Sequence, residues 1–276
     1  MFAGALSGAL WILLGSLIVL AGVVVYATLI RQINARATTA VVDIDAAPKR
    51  TFGLPEAILT AFLICLLVSN VVGAVSHSRG PMQLSTRDIV ADLISRFILV
   101  FFVVGLLKLR GLDIDSLGGF SRTSLKRALS TAIVLLLAAA PLILFAEAVT
   151  QNAFGSGSSR QEIVDLFNSS RTIGQRVVII VLAVVVAPFS EEFIFRFFIY
   201  GVLRRYFGIA IGLIFNSLLF AAAHTHLPSA APLFVLAGCF TLAYEWSGSI
   251  LVSMSMHALF NSIQLIFLAF PELFQQ

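Results

Sequence analysis

Two adjacent carboxylates and a guanidinium sit inside an otherwise apolar stretch. Residues 187–196 read Ala187-Pro188-Phe189-Ser190-Glu191-Glu192-Phe193-Ile194-Phe195-Arg196. Glu192 and Arg196 are four apart, so on a helix they share a face and can pair. Glu191 then points about 100° away. Two carboxylates that both ionise in a low dielectric repel each other, so pairing one with Arg196 leaves Glu191 as the candidate general base. Further on come Phe220-x-x-x-His224, with His226 two residues later, and His257-x-x-x-Asn261. The last spacing stacks His257 and Asn261 one turn apart on one face. After Arg205 the only charged residues are Glu245 and Glu272, so polar groups stand out there.

Each group also has a plainer reading. Glu191, Glu192 and Arg196 could be an ion-pair cluster that clamps helices, although buried pairs are weak evidence for stability. His226 reads as a loop histidine. His257 and Asn261 could be hydrogen-bonding glue between helices, worth about 0.6–2 kcal/mol per contact. Asp92 and Arg96, spaced i, i+4, read as a structural pair near an interface, and His77 as interfacial. Glu245-Trp246 reads as a helix end in the headgroup zone.

The elements that carry these residues follow from composition. Of 276 residues, 59% are hydrophobic and only 12% charged. Mean hydropathy is +1.00. Soluble domains carry about 25% charge. This chain is therefore not an ordinary cytosolic enzyme, a disordered protein or a nucleic-acid binder. Its 18 Lys+Arg against 14 Asp+Glu bear on topology rather than on phosphate binding. The two cysteines, Cys65 and Cys239, lie in apolar runs and form no disulfide framework.

A spanning helix needs about 20 apolar residues. Stretches free of Asp, Glu, Lys and Arg give spans at Met1–Ile30, Ala57–Ser78 and Ala128–Ala146. Ile89–Leu109 is a further span, despite Asp92 and Arg96. A fifth runs from about Val177 through Arg196. Tyr206–Tyr244 is long enough for two helices, broken at His224–Pro228 and Pro232, and Trp246–Pro271 is the last. The expected fold is all-α: a polytopic transmembrane helical bundle of about eight spans, forming one membrane domain over 1–276. Open sheets cannot satisfy their backbone in lipid. The first span lacks a basic leading region and a clear cleavage site, which predicts a retained helix. Arg31–Thr51 reads as a polar linker, and Ser159-x-x-Glu162 as a capping box opening a short interfacial helix through Phe167. Basic residues after spans one, three and five place those loops together on the cytoplasmic side.

Glu-Glu-x-x-x-Arg, Phe-x-x-x-His and His-x-x-x-Asn, in that order on separate apolar helices, resemble the CPBP family of intramembrane endopeptidases. These are the CAAX prenyl endopeptidase and bacteriocin-processing proteins, also called the abortive-infection family. The resemblance covers 174–270 as a catalytic core, with 1–150 as variable N-terminal helices. Phe197 departs from the pattern, which often has Gly after the Arg. The resemblance implies hydrolysis of peptide bonds in a membrane-associated or prenylated protein or peptide. Glu191 would act as base on a water with help from His224, His257 and Asn261 would stabilise the oxyanion, and Glu192 and Arg196 would hold the helix.

The family is often described as metalloprotease and has also been read as a metal-free glutamate peptidase. If a divalent metal such as zinc takes part, His224, His257 and Glu191 are its ligands. The chain has no His-Glu-x-x-His. Expected partners are the lipid bilayer and a membrane-associated substrate, without nucleic acid, in a multi-pass protein of the cell membrane. The competing classes are a catalytically inactive scaffold or bacteriocin-immunity protein of the same fold and, ranked last, a transporter or proton relay. Transporters commonly show repeats in both halves, whereas the polar groups here cluster in one.

Overall fold

The computed structural model describes residues 2–39, 51–76, 86–154 and 172–270. Among them every regular element is helical. The N-terminal helices are α1 (Phe2–Thr39), α2 (Leu54–Ser76), α3 (Thr86–Leu109), the short α4 (Ile114–Gly118) and α5 (Leu125–Phe154). A composite helix α6 covers Ile173–Ala223, followed by a 3-10 turn at Leu227–Ser229, α7 (Ala230–Ser247) and α8 (Ile250–Ala269).

Among the described residues six helical runs are long and apolar enough to cross a membrane: Ile12–Arg36, Leu54–Ala74, Leu125–Ala153, Ile173–Ala223, Ala230–Ser247 and Ile250–Phe267. The α6 run has 51 residues. A straight helix of that length spans more than twice the roughly 30 Å of a hydrocarbon core. It is broken at Gly208, whose φ of 80° and ψ of 174° lie in a region essentially reserved for glycine. Counting α6 as two limbs and adding α3 recovers the eight long helices of the sequence reading. The protein is an integral, multi-pass helical bundle.

Helix boundaries differ from expectation in three places. The first helix runs through Arg31 and Arg36 to Thr39 instead of giving way to a linker at Arg31. Arg, Gln and Ala are good helix formers, and this turn is tied down. Trp246 Nε1 donates to Gln32 Oε1 at 2.6 Å, and Arg36 donates to the Trp246 carbonyl at 2.7 Å. The fifth span begins at Ile173, where Thr172 and Gln175 form a capping box. It then runs past Arg196 to Gly208, so the break between spans five and six falls at the glycine. The proposed interfacial helix from Ser159, and His77, lie outside the described residues.

The bundle is apolar outside and partly polar inside, as lipid demands. Leu17, Ile58, Phe101 and Leu137 face outward, while Glu56, Glu192, Arg196 and Asn216 are fully buried. The loops read as lying on one side do meet. Arg36, Arg122 and Arg204 all reach the segment 245–248, through the Trp246 carbonyl, the Gly248 carbonyl and Glu245. There α4 is capped by Asp113 and by Gly119, which adopts φ 64°. A β-carbon at Gly119 would run into the Gly248 carbonyl, so this end of the bundle closes backbone on backbone.

Candidate active site

The first limb of α6 is not a uniform α-helix. Leu182–Val186 and Glu192–Ile199 are π-helical, with α-helical Ala187–Glu191 between them. The Ala187 N–H reaches the Leu182 carbonyl, five residues back. In that register the next donor, to the Ala183 carbonyl, would be Pro188, which has no N–H. Asn261 Nδ2 donates to Ala183 O instead, at 2.7 Å from α8. One amide thus satisfies a carbonyl that the proline leaves open, and ties α8 to the carboxylate-bearing turn.

The wider π turn brings neighbouring side chains closer in direction than the ~100° of an α-helix. Glu191 and Glu192 both address His257, one at each ring nitrogen. His257 Nδ1 lies 2.8 Å from Glu192 Oε1, and its Nε2 lies 3.9 Å from Glu191 Oε2. The carboxylate oxygen can only accept, so Nδ1 carries the proton. Glu192 Oε1 also lies 3.0 Å from Arg196 Nη1, in the i, i+4 pairing expected from the sequence.

Arg196 is fully buried, and its guanidinium stands 4.0 Å above the Phe220 ring and 5.3 Å from that of Phe240. None of its nitrogens has a hydrogen-bond partner among the described residues. The Glu192 charge and the aromatic faces compensate it. Phe240 also stacks on His257, at 5.2 Å between centroids. Phe197, where the family pattern often has Gly, is buried against Phe193 at 4.8 Å and Phe52 at 5.9 Å.

His224 caps the second limb of α6. Its Nδ1 lies 2.9 Å from the Phe220 carbonyl. A carbonyl only accepts, so that nitrogen carries a proton and Nε2 of the neutral ring is left as acceptor. Thr225 follows at φ 50°, a left-handed conformation uncommon for a β-branched residue. His226 bonds locally, Nδ1 to Ser229 Oγ at 2.7 Å, and serves the turn. Glu191 and His224 lie nearly equal numbers of residues before and after the break at Gly208.

Arg96 is the residue that sequence reasoning did not bring to the site. Its Nη1 donates to Glu191 Oε1 at 2.7 Å, from α3. The side chain of Asp92, its expected partner, lies outside the described residues. An arginine within a spanning helix was itself the available signal. Glu191 Oε2, by contrast, is buried and has no hydrogen-bond partner among the described residues.

Among the described residues no three His, Cys, Asp or Glu side chains come together in metal-holding geometry. His257 Nδ1 is taken by Glu192, and a guanidinium rests on Glu191. A dication beside Arg96 would meet like charge.

The fold and the site define a class: a membrane-embedded helical bundle with a buried Glu/His cluster. Residues 173–263 match the family described as Rce1-like, type II CAAX prenyl endopeptidase Rce1-like. The match covers about a third of the chain, and all three motifs lie within it. No curated protein and no solved structure matches the chain.

Proposed function

We propose that the protein is an intramembrane endopeptidase in which Glu191 activates a water. The observation that carries this reading is the pair Glu191 Oε2 and His257 Nε2. They are 3.9 Å apart, and the carboxylate oxygen is buried without a partner. That separation is too long for a direct hydrogen bond and matches the span that one bridging water covers between two polar atoms. Phe220 and Phe240 are fully buried against His257 and Arg196, and a desolvated setting strengthens charge interactions.

The chemistry then runs on this chain's own residues. The water oxygen attacks the peptide carbonyl carbon while Glu191 Oε2 takes its proton. A carbon–oxygen bond forms, and the carbonyl oxygen becomes an oxyanion. Glu191 returns the proton to the amide nitrogen as the carbon–nitrogen bond breaks. His257, in its charged form, donates Nε2–H to the oxyanion, and Glu192 behind Nδ1 compensates that charge. His224 offers Nε2 as a second acceptor for the water. Arg196 holds Glu192, and Asn261 holds the turn through Ala183. No step uses a metal.

The substrate class that fits is a membrane-associated or prenylated protein or peptide, entering from the bilayer. The test is cleavage by detergent-purified protein of a mixed panel of prenylated and unprenylated peptides, wild type beside His257→Ala. Cleavage by wild type alone supports the enzyme. Equal rates overturn it. Absence of cleavage by either folded protein, with a knockout phenotype restored by Glu191→Gln, assigns the protein to the inactive scaffold class.

A further inference from the structure

The matched family region begins only after the bundle's N-terminal helices, yet one of those helices sends a charged group into the site. We propose that Arg96 of α3 is a positioning residue for the Glu191 carboxylate, so that the active site is completed from outside residues 173–263. The proposal rests on the reading of Glu191 as the base.

Three observations carry it. Arg96 Nη1 donates to Oε1 of Glu191 at 2.7 Å, a short charge-assisted bond. The other oxygen, Oε2, is left facing His257 Nε2 at 3.9 Å. A carboxylate held at one oxygen by a planar guanidinium has its second oxygen aimed, whereas an unheld one rotates. The third observation is where α3 packs. Its C-terminal half is anchored by the buried side chains of Val100, Val103 and Leu107. In the half around Arg96, Val90, Ile94 and Ile98 face outward. The helix comes against the turn that ends at Glu191. Arg96 reaches inward from the side where apolar packing is thinnest, and its side chain keeps a third of its surface exposed. That placement suits a group whose task is electrostatic orientation.

The proposal accounts for charge as well. Arg196 stands against Glu192 and Arg96 against Glu191, each carboxylate facing its own guanidinium. Two adjacent buried carboxylates are tolerable only when both are compensated. The Glu-Glu-x-x-x-Arg motif supplies one of these cations, and α3 supplies the other.

The test has an activity arm and an arm that needs no activity. Arg96→Gln is expected to lower kcat about 100-fold, the scale of a misplaced reacting group, with little change in KM. Arg96→Lys keeps the charge without the fork and retains part of the rate. In Arg96→Ala, added guanidinium ion at millimolar concentration restores part of kcat. The second arm is a thermal-unfolding cycle of Arg96→Gln, Glu191→Gln and the double variant in detergent. The two single substitutions each lower Tm, and the double lowers it by less than their sum. Wild-type kcat in Arg96→Gln, a change in KM alone, or additive Tm shifts would each overturn the proposal. Coupled Tm shifts in a protein that cleaves nothing would retain the Arg96–Glu191 pairing and count against the endopeptidase reading instead.

Discussion

His257 and Glu192, 65 positions apart in sequence, are joined by a 2.8 Å bond from Nδ1 to a fully buried carboxylate. The bond makes one unit of α6 and α8. It fixes the face that the imidazole presents to Glu191, because a ring held at Nδ1 can offer only Nε2 to anything else.

Glu192 therefore has two dependants, His257 and the buried guanidinium of Arg196. Removing one partner of a buried pair typically costs about 3–5 kcal/mol. Glu192→Ala should lose that much and fold poorly. Thermal unfolding in detergent, compared with Glu192→Gln, checks this. The amide keeps an acceptor for His257 but no charge for Arg196, so Glu192→Gln should fall between wild type and Glu192→Ala.

Phe220 is fully buried and touches Arg196, His224 and His257 at once. Phe220→Ala should cost about 3–5 kcal/mol through the cavity alone. It should also admit water beside Arg196. Phe220→Leu keeps most of the volume and loses the π face, so it should recover most of the stability and less of the activity. Tm and kcat measured on the same preparations separate the two effects.

Asn261 and Pro188 make a sharper test, because the structure couples them through the Ala183 carbonyl. Asn261→Leu leaves that buried acceptor open, at a cost of about 1–3 kcal/mol. Pro188→Ala supplies the missing N–H in the π register. The double variant should therefore lose less stability than Asn261→Leu alone, measured by unfolding. Strict additivity would mean that the two residues do not share that carbonyl.

Much of this architecture can be read from the chain before any coordinates. Uncharged runs locate the long helices, because lipid excludes unpaired charge. The spacings Glu192–Arg196 and Phe220–His224 already name a pair and a cap that the structure contains. Other features depend on information that periodicity does not hold. The π turn at Leu182–Val186 runs into Pro188, and a partner helix supplies the donor missing at Ala183, so this feature involves α8. The Arg96–Glu191 contact joins helices far apart in sequence, and local spacing offered Asp92 as the nearer partner. The first helix outlasts its apolar run because Gln32 and Arg36 find partners at Trp246, which no count of charges reveals.

The proposed mechanism uses Glu191 and His257 without a metal, and that can be checked directly. Among the described residues no group of three His, Cys, Asp or Glu side chains stands in metal-holding geometry, and Arg96 donates to Glu191. Cleavage is expected to continue unchanged after dialysis against a strong chelator. Loss of activity on chelation, restored by zinc, would move His224, His257 and Glu191 into a ligand role.

The most direct test of the central claim is the cleavage rate of Glu191→Gln beside wild type under single-turnover conditions. The substitution keeps size and shape and removes the proton acceptor. Positioned bases contribute about 10²–10⁴-fold. The account predicts a fall of that size, with substrate binding retained and Tm lowered only by the loss of the Arg96 pairing. A Glu191→Gln protein that cleaves at the wild-type rate would contradict it.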